Sequence, residues 1–272
     1  MIQNVNPISL ASNFLNIYTT RKDANSGELI QLSSATGFFY KRNNEQYFVT
    51  NLHVVSGRDI FTEQPENKNG ALPEIIKSNC ALYYDSEKRI DGGYYVHISL
   101  YDNYNNPVWL VHPKYKRDVD LAIIKIKNNL FCLNDIPSDN VEIGVADEVF
   151  VIGYPLALGS NENRNIPIWK RATIASEPTI PYFNDGRKTF VIDATTRPGM
   201  SGSPVFAYSH FATSYDNEGM SFSMSPQRRF SFLGVYSGRL RNRGNAESFL
   251  GLVWKKELID EIIDGNVRDE LY

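Results

Sequence analysis

Residues 36–55, "TGFFYKRNNEQYFVTNLHVV", decide how the rest of the chain is read. Two aromatic-rich runs, 36–40 and 46–51, flank a polar stretch with two adjacent asparagines. That is the pattern of a β-hairpin: residues that pack well on a pleated face, joined by residues that tolerate a tight reversal. The second run ends at Thr50-Asn51, and the chain turns just as His53 arrives. A histidine at the end of a strand, at the start of a turn, is placed either to be half-buried packing or to work.

Outward from this hairpin, short strand-like runs recur: 93–102 and 107–112, read as a second hairpin around "NYNN", then 119–127, 147–155, 169–180, 188–196, 202–208, 229–238 and 249–254. Many short strands with turn signals between them predict barrels or sandwiches. In "VWKKELIDEIIDG" (253–265), Trp254, Leu258, Ile259, Ile262 and Ile263 fall on one face at helical spacing, which predicts a C-terminal helix closed by Gly265. A second helix is suggested near the N-terminus, in "PISLASNFLNIY". The stretches 57–92, 156–168 and 209–228 are less regular, and the first reads as a charged, Asn-rich surface insertion.

The totals narrow the function. The 272 residues suit two small cores better than one. A net charge of −3 gives no basic excess to meet nucleic acid. No run approaches the ~20 apolar residues of a membrane-spanning helix. Two cysteines, Cys80 and Cys132, are few for a secreted enzyme, and the first residues carry no basic start before an apolar block. Reduced thiols and a cytoplasmic location are the expectation. The four histidines, His53, His97, His112 and His210, show no metal-ligand spacing, so no metal or other cofactor is expected.

Three residues carry candidate chemistry. Asp120 heads the apolar run in "RDVDLAIIKI", so its carboxylate is drawn inward and needs a donor, which a histidine N–H supplies. Asp118, two residues earlier, fits a surface position better. Ser201 stands in "TTRPGMSGSPVF" (195–206), where Gly199 and Gly202 permit a sharp turn that points N–H groups into one pocket. A hydroxyl is a poor nucleophile without a base beside it. The order His, Asp, Ser is one of the arrangements of the serine triad.

With these segments in place the chain resembles the trypsin-like (chymotrypsin-fold) serine peptidases, and most of all their bacterial, disulfide-free members. The match is carried by "GFFYKRNNEQYFVTNLHVV", "VHPKYKRDVDLAIIKI", "VFVIGYP", "IDATTRPGMSGSPVF", "FLGVYSG" and "FLGLVW", from about residue 34 to 265. The resemblance implies an all-β protein: two six-stranded antiparallel β-barrels with a C-terminal α-helix. The first barrel would lie in 1–146 with His53 and Asp120, and the second in 147–272 with Ser201. His53 would be the general base, Asp120 its orienting carboxylate and Ser201 the nucleophile. The N–H groups of Gly199 and Ser201 would form the oxyanion hole. Ser237, Gly238 and Arg239 would line the substrate groove. Thr195, six residues before the serine, would form the base of the primary specificity pocket and favour small or medium uncharged side chains.

Two residues depart from the family pattern. Met200 stands where secreted members have an Asp that pairs with a new N-terminus, so activation by that cut is not expected. Ser203 stands where a glycine is usual. The implied function is a serine endopeptidase acting on protein or peptide substrates, without nucleic acid or membrane, restrained by a narrow target or a regulatory protein partner. The alternative is an inactive trypsin-like fold that binds proteins. An α/β-hydrolase esterase is disfavoured, because that fold orders its triad Ser, Asp, His and sets its nucleophile in G-x-S-x-G, whereas this chain has G-M-S-G-S.

Overall fold

The computed structural model describes residues 5–20, 28–60, 62–83, 90–127, 129–138, 142–160, 165–209, 212–216, 219–223, 229–241 and 247–270. The chain begins with a single helical turn, α1 (Pro7–Ala11), and continues through β1 (Ser12–Thr20), β2 (Leu29–Arg42), β3 (Glu45–Thr50), α2 (Leu52–Ser56), β4 (Ile75–Tyr83), β5 (Ile90–Ser99), β6 (Leu110–Val111) and β7 (Ala122–Ile126). There follow β8 (Glu148–Gly153), β9 (Ile168–Ile174), β10 (Thr189–Asp193), β11 (Pro204–Ser209), β12 (Ala212–Asp216), β13 (Gly219–Ser223), β14 (Arg229–Arg241), β15 (Glu247–Lys255), α3 (Glu257–Gly265) and β16 (Val267–Arg268).

The strands divide into an eight-stranded antiparallel sheet, in the order β16-β6-β7-β3-β2-β1-β4-β5, and a closed six-stranded barrel, β10-β15-β14-β11-β8-β9. β12 and β13 form a separate two-stranded sheet. The fold is therefore all-β with a C-terminal helix. The second unit is the expected six-stranded barrel, while the first holds eight strands and is a sheet. Its last strand, β16, comes from the far end of the chain and pairs with β6.

The opening hairpin forms as its letters predict. β2 pairs β3 from Phe38↔Val49 to Arg42↔Glu45, and the reversal is made by Asn43 and Asn44, both at positive φ. Two left-handed residues in a two-residue loop match the twist of the flanking strands, and Asn accepts that conformation better than most residues. Phe38 and Phe39 are both fully buried because β2 lies between two cores. Phe38 joins a core shared by both sheets, together with Ile152, Val191, Trp254 and Ile262, while Phe39 packs in the first sheet with Phe48 and Leu52. The shared core clamps the two units face to face and fixes the cleft between them. Helix α3 buries Leu258, Ile259, Ile262 and Ile263 in that core, as its spacing predicts.

Three expectations give way. The N-terminal helix is one turn long, after which the chain becomes β1, a strand paired to both β2 and β4. The hairpin expected over 93–112 does not form as a pair of strands. β5 pairs β4, β6 pairs β7 and β16, and only the bridge Tyr101–Pro107 joins the two runs. The reason lies in the supposed insertion at 57–92, which contains β4. Along β4 the inward positions are Ile76, Ser78 and Cys80, and the small polar Ser78 is satisfied by donating to the Phe14 carbonyl at 2.9 Å. That buried serine interrupts the apolar alternation that marks a strand in sequence. Both cysteines are free and buried.

Candidate active site

His53 lies in α2, the turn that follows β3. Asp120 lies one residue before the apolar run that leads into β7, and it is 1% exposed. A carboxylate so deep must be matched by donors. Asp120 has three. Its Oδ1 accepts from the backbone N–H of His53 at 2.9 Å, and its Oδ2 accepts from His53 Nδ1 at 2.7 Å and from the Ser237 hydroxyl at 2.5 Å. Asn51 adds a clamp by donating to the Asp120 backbone carbonyl at 2.8 Å. The imidazole is thus held in one tautomer and one orientation, with Nε2 left over. Burial disfavours the charged ring, but the adjoining Asp120 carboxylate, with Glu66 and Asp59 further along the cleft, outweighs it and raises His53 to about 9.

The barrel supplies the facing wall. Between β10 and β11 the chain makes the turn that carries Ser201. Gly199 and Gly202 have φ of 95° and 83°, a region that side chains resist. Space also excludes anything larger, because a Cβ on Gly199 would stand 2.3 Å from the Tyr154 carbonyl oxygen and one on Gly202 would stand 2.0 Å from that of Thr36. The carbonyls of the turn are tied down one by one. Pro198 O accepts from Leu156 N at 2.7 Å, Gly199 O from the Thr36 hydroxyl at 2.8 Å, and Ser201 O from Thr36 N at 2.9 Å. Gly202 N donates to Tyr236 O at 3.0 Å. The amides of Gly199 and Ser201 donate to none of the described residues. A trans peptide sets its C=O and N–H in opposite directions. Anchoring Pro198 O on Leu156 therefore turns the Gly199 N–H the other way.

His53, Asp120, Gly199 and Ser201 line one cleft of about 790 Å³. No hydrogen bond joins Ser201 to His53. The Ser201 hydroxyl instead donates to the Ser237 carbonyl at 3.3 Å, a long bond. In this state the nucleophile candidate rests against β14 rather than against His53.

A profile of the trypsin-like peptidase domain matches residues 35–210, well over half of the chain and inclusive of all three candidate residues. The chain belongs to that family. Among solved structures it is similar to the HtrA-type protease AlgW with tripeptide, at 14% identity and a TM-score of 0.49, over 95% of this chain and 60% of that one. No curated protein matches it.

Seen as a trypsin-like peptidase, the chain explains its two departures. Met200 is fully buried in the core of the barrel with Val149, Phe190 and Val253. It contributes apolar packing to that core. Ser203 is also fully buried, its hydroxyl has no partner among the described residues, and the space for it comes from Gly153, where a Cβ would lie 2.0 Å from that oxygen. Gly153 in the "GYP" motif and Ser203 therefore fit each other.

The other predicted positions divide. Ser237, Gly238 and Arg239 line the cleft, and Arg239 Nη2 donates to the Thr196 carbonyl at 3.0 Å. Thr195 does not line it. That residue is exposed, whereas its neighbour Thr196 is buried and faces the cleft. A one-residue offset in an extended segment reverses the side-chain direction, which no spacing count can detect. His112 binds Glu261 at 2.9 Å, away from the site, and His97 is exposed on β5. His210 lies outside the described residues. Among the described residues no cluster of three potential metal ligands occurs. The stretch 57–92 is no remote insertion, since Asp59 and Glu66 through Asn69 form part of the cleft wall. The residue that sequence reasoning missed is Thr36. It is fully buried in β2 and holds two carbonyls of the Ser201 turn from the opposite sheet. Nothing in "ATGFF" marks it.

Proposed function

We propose that this trypsin-like peptidase is a serine endopeptidase acting through His53, Asp120 and Ser201. The observation that carries the reading is the bonding of Asp120, which occupies His53 Nδ1 and leaves Nε2 as the one ring nitrogen able to take a proton in the cleft that Ser201 lines. On this reading the Ser201 hydroxyl exchanges its long bond to the Ser237 carbonyl for one to Nε2, and such contacts commonly tighten only when substrate is bound.

The chemistry follows from these groups. Ser201 Oγ attacks the scissile carbonyl as His53 takes its proton. The oxygen that becomes negative is held by the amides of Gly199 and Ser201, a contribution of about 3–4 kcal/mol for a donor of this kind. His53 then gives the proton to the leaving amine, and an acyl-enzyme remains. Water, deprotonated by the same imidazole, releases the acid and restores Ser201. Asp120 holds the ring through its Nδ1 bond and stabilises the imidazolium.

One observation favours the alternative of a protein-binding module without catalysis: the Ser201 hydroxyl engages Ser237 rather than His53. A fluorophosphonate probe separates the two readings. Labelling of the wild-type chain but not of a folded Ser201→Ala variant supports the enzyme. Failure to label the wild type at any pH from 6 to 10 ends the catalytic reading.

A further inference from the structure

Two segments flank Ser201, residues 196–199 on one side and 236–239 on the other, and both line the cleft. On the reading just given, a carbonyl held by Ser201 and the amides of Gly199 and Ser201 directs the side chain of its own residue between these walls. What closes the space is Tyr236. Its side chain lies on Gly251, where even a Cβ would come within 2.5 Å of the ring. Its hydroxyl meets that of Thr196 across the gap, and both residues are 2% exposed. Arg239 crosses the same gap and donates to the Thr196 carbonyl. The two walls are therefore bridged twice, by a hydroxyl pair and by a guanidinium. Breaking a buried hydroxyl pair without a replacement leaves polar groups unpaired, so the floor resists being pushed open.

We infer that Tyr236 is the specificity-determining residue of this peptidase and that it limits cleavage to bonds following short side chains: Gly, Ala or Ser. The inference rests on the proposed Ser201 chemistry. The ring of Tyr236 fills the depth that a Phe, Leu or Met side chain would need. Lysine and arginine meet a second obstacle, because 195–201 and 236–240 contain Arg197 and Arg239 and no carboxylate. The narrow volume is thus set by a residue of β14, and Gly251 in β15 is what allows an aromatic ring to occupy it.

The test uses two peptidyl diphenyl phosphonates that differ only in carrying Ala or Phe at the residue next to phosphorus, with a plain fluorophosphonate as a control blind to that pocket. Wild type is expected to react faster with the Ala probe by about tenfold or more, the scale on which a pocket discriminates by size. Tyr236→Val is expected to reverse the order, and Tyr236→Phe to keep it, since the ring remains. Equal or faster reaction of wild type with the Phe probe overturns the inference while leaving the nucleophile intact. Absence of reaction with all three probes overturns both the inference and the reading beneath it. If Tyr236→Val does not fold, cleavage-site profiling of wild type on a proteome-derived peptide library decides instead: cuts after Gly, Ala and Ser support the inference, and cuts mainly after Phe, Leu, Lys or Arg overturn it.

Discussion

The two walls of the cleft are built to different degrees of completion. On the wall from the first sheet the supporting bonds are already made: Asp120 receives three hydrogen bonds, two of which fix its partner His53 with Nε2 left over. On the wall from the barrel the turn is equally rigid, with its carbonyls tied to Thr36 and Leu156, but the reacting atoms are not committed. The Ser201 hydroxyl rests on a long bond to Ser237, and two amides have no acceptor among the described residues. On the mechanism proposed above, the base is finished before substrate arrives, and the nucleophile is finished by it. In that proposal the two amides wait for an oxygen that becomes negative only during reaction.

This contrast can be broken at either wall. The largest effect is expected from Ser201→Ala, which should lower amide hydrolysis by about 10⁴-fold or more with folding intact, measured by peptide cleavage alongside thermal unfolding. Asp120→Asn should follow with a loss of about 10⁴-fold, because an amide side chain favours the wrong imidazole tautomer. The rate should be read with the circular dichroism spectrum, to separate chemistry from the cost of altering a buried site. An Asp120→Asn enzyme within tenfold of wild type would refute the view that the first wall is locked by this carboxylate.

Thr36→Val tests the second wall from a distance. It leaves the Gly199 carbonyl without its donor in a buried place, at a cost of about 1–3 kcal/mol in urea unfolding. Reaction with a fluorophosphonate should slow together with it. An unchanged labelling rate would show that the turn does not need this support.

The smallest effect concerns protons. His53 is raised to about 9, with burial opposing and Asp120, Glu66 and Asp59 prevailing. The base must be neutral, so kcat/KM should rise with pH through an inflection above the ordinary histidine value of about 6.5. Glu66→Gln should move that inflection down by less than a unit, measured from the acid limb of the pH–rate profile. The linkage to stability has the opposite sense. A raised pKa adds stability that is complete below about 6.5 and lost as pH climbs through the folded value. The free enzyme should therefore lose some stability over the range in which it gains activity.

How much of this was legible in the letters differs between the same two walls. His53 and Asp120 announce themselves because each sits at the edge of an apolar strand, where a polar side chain is out of place. Ser201 announces itself through Gly199 and Gly202, whose conformations only glycine adopts readily. Helix α3 and the β2–β3 hairpin were readable for the same reason: their signals are complete within a dozen residues. β4 was not, because Ser78 at an inward position finds its partner on β1, far away in sequence.

The sequence by itself therefore determined which residue types could do chemistry and which short segments would be strands or turns, since period and turn preference are local properties of a chain. Only the tertiary structure decided what those segments meet. It set Thr36 behind the Ser201 turn, chose Thr196 over Thr195 for the cleft, joined Tyr236 to Thr196 and brought β16 back to the first sheet. Such outcomes depend on register and on which edges and volumes remain free once distant strands have paired, and no stretch of sequence carries that information alone.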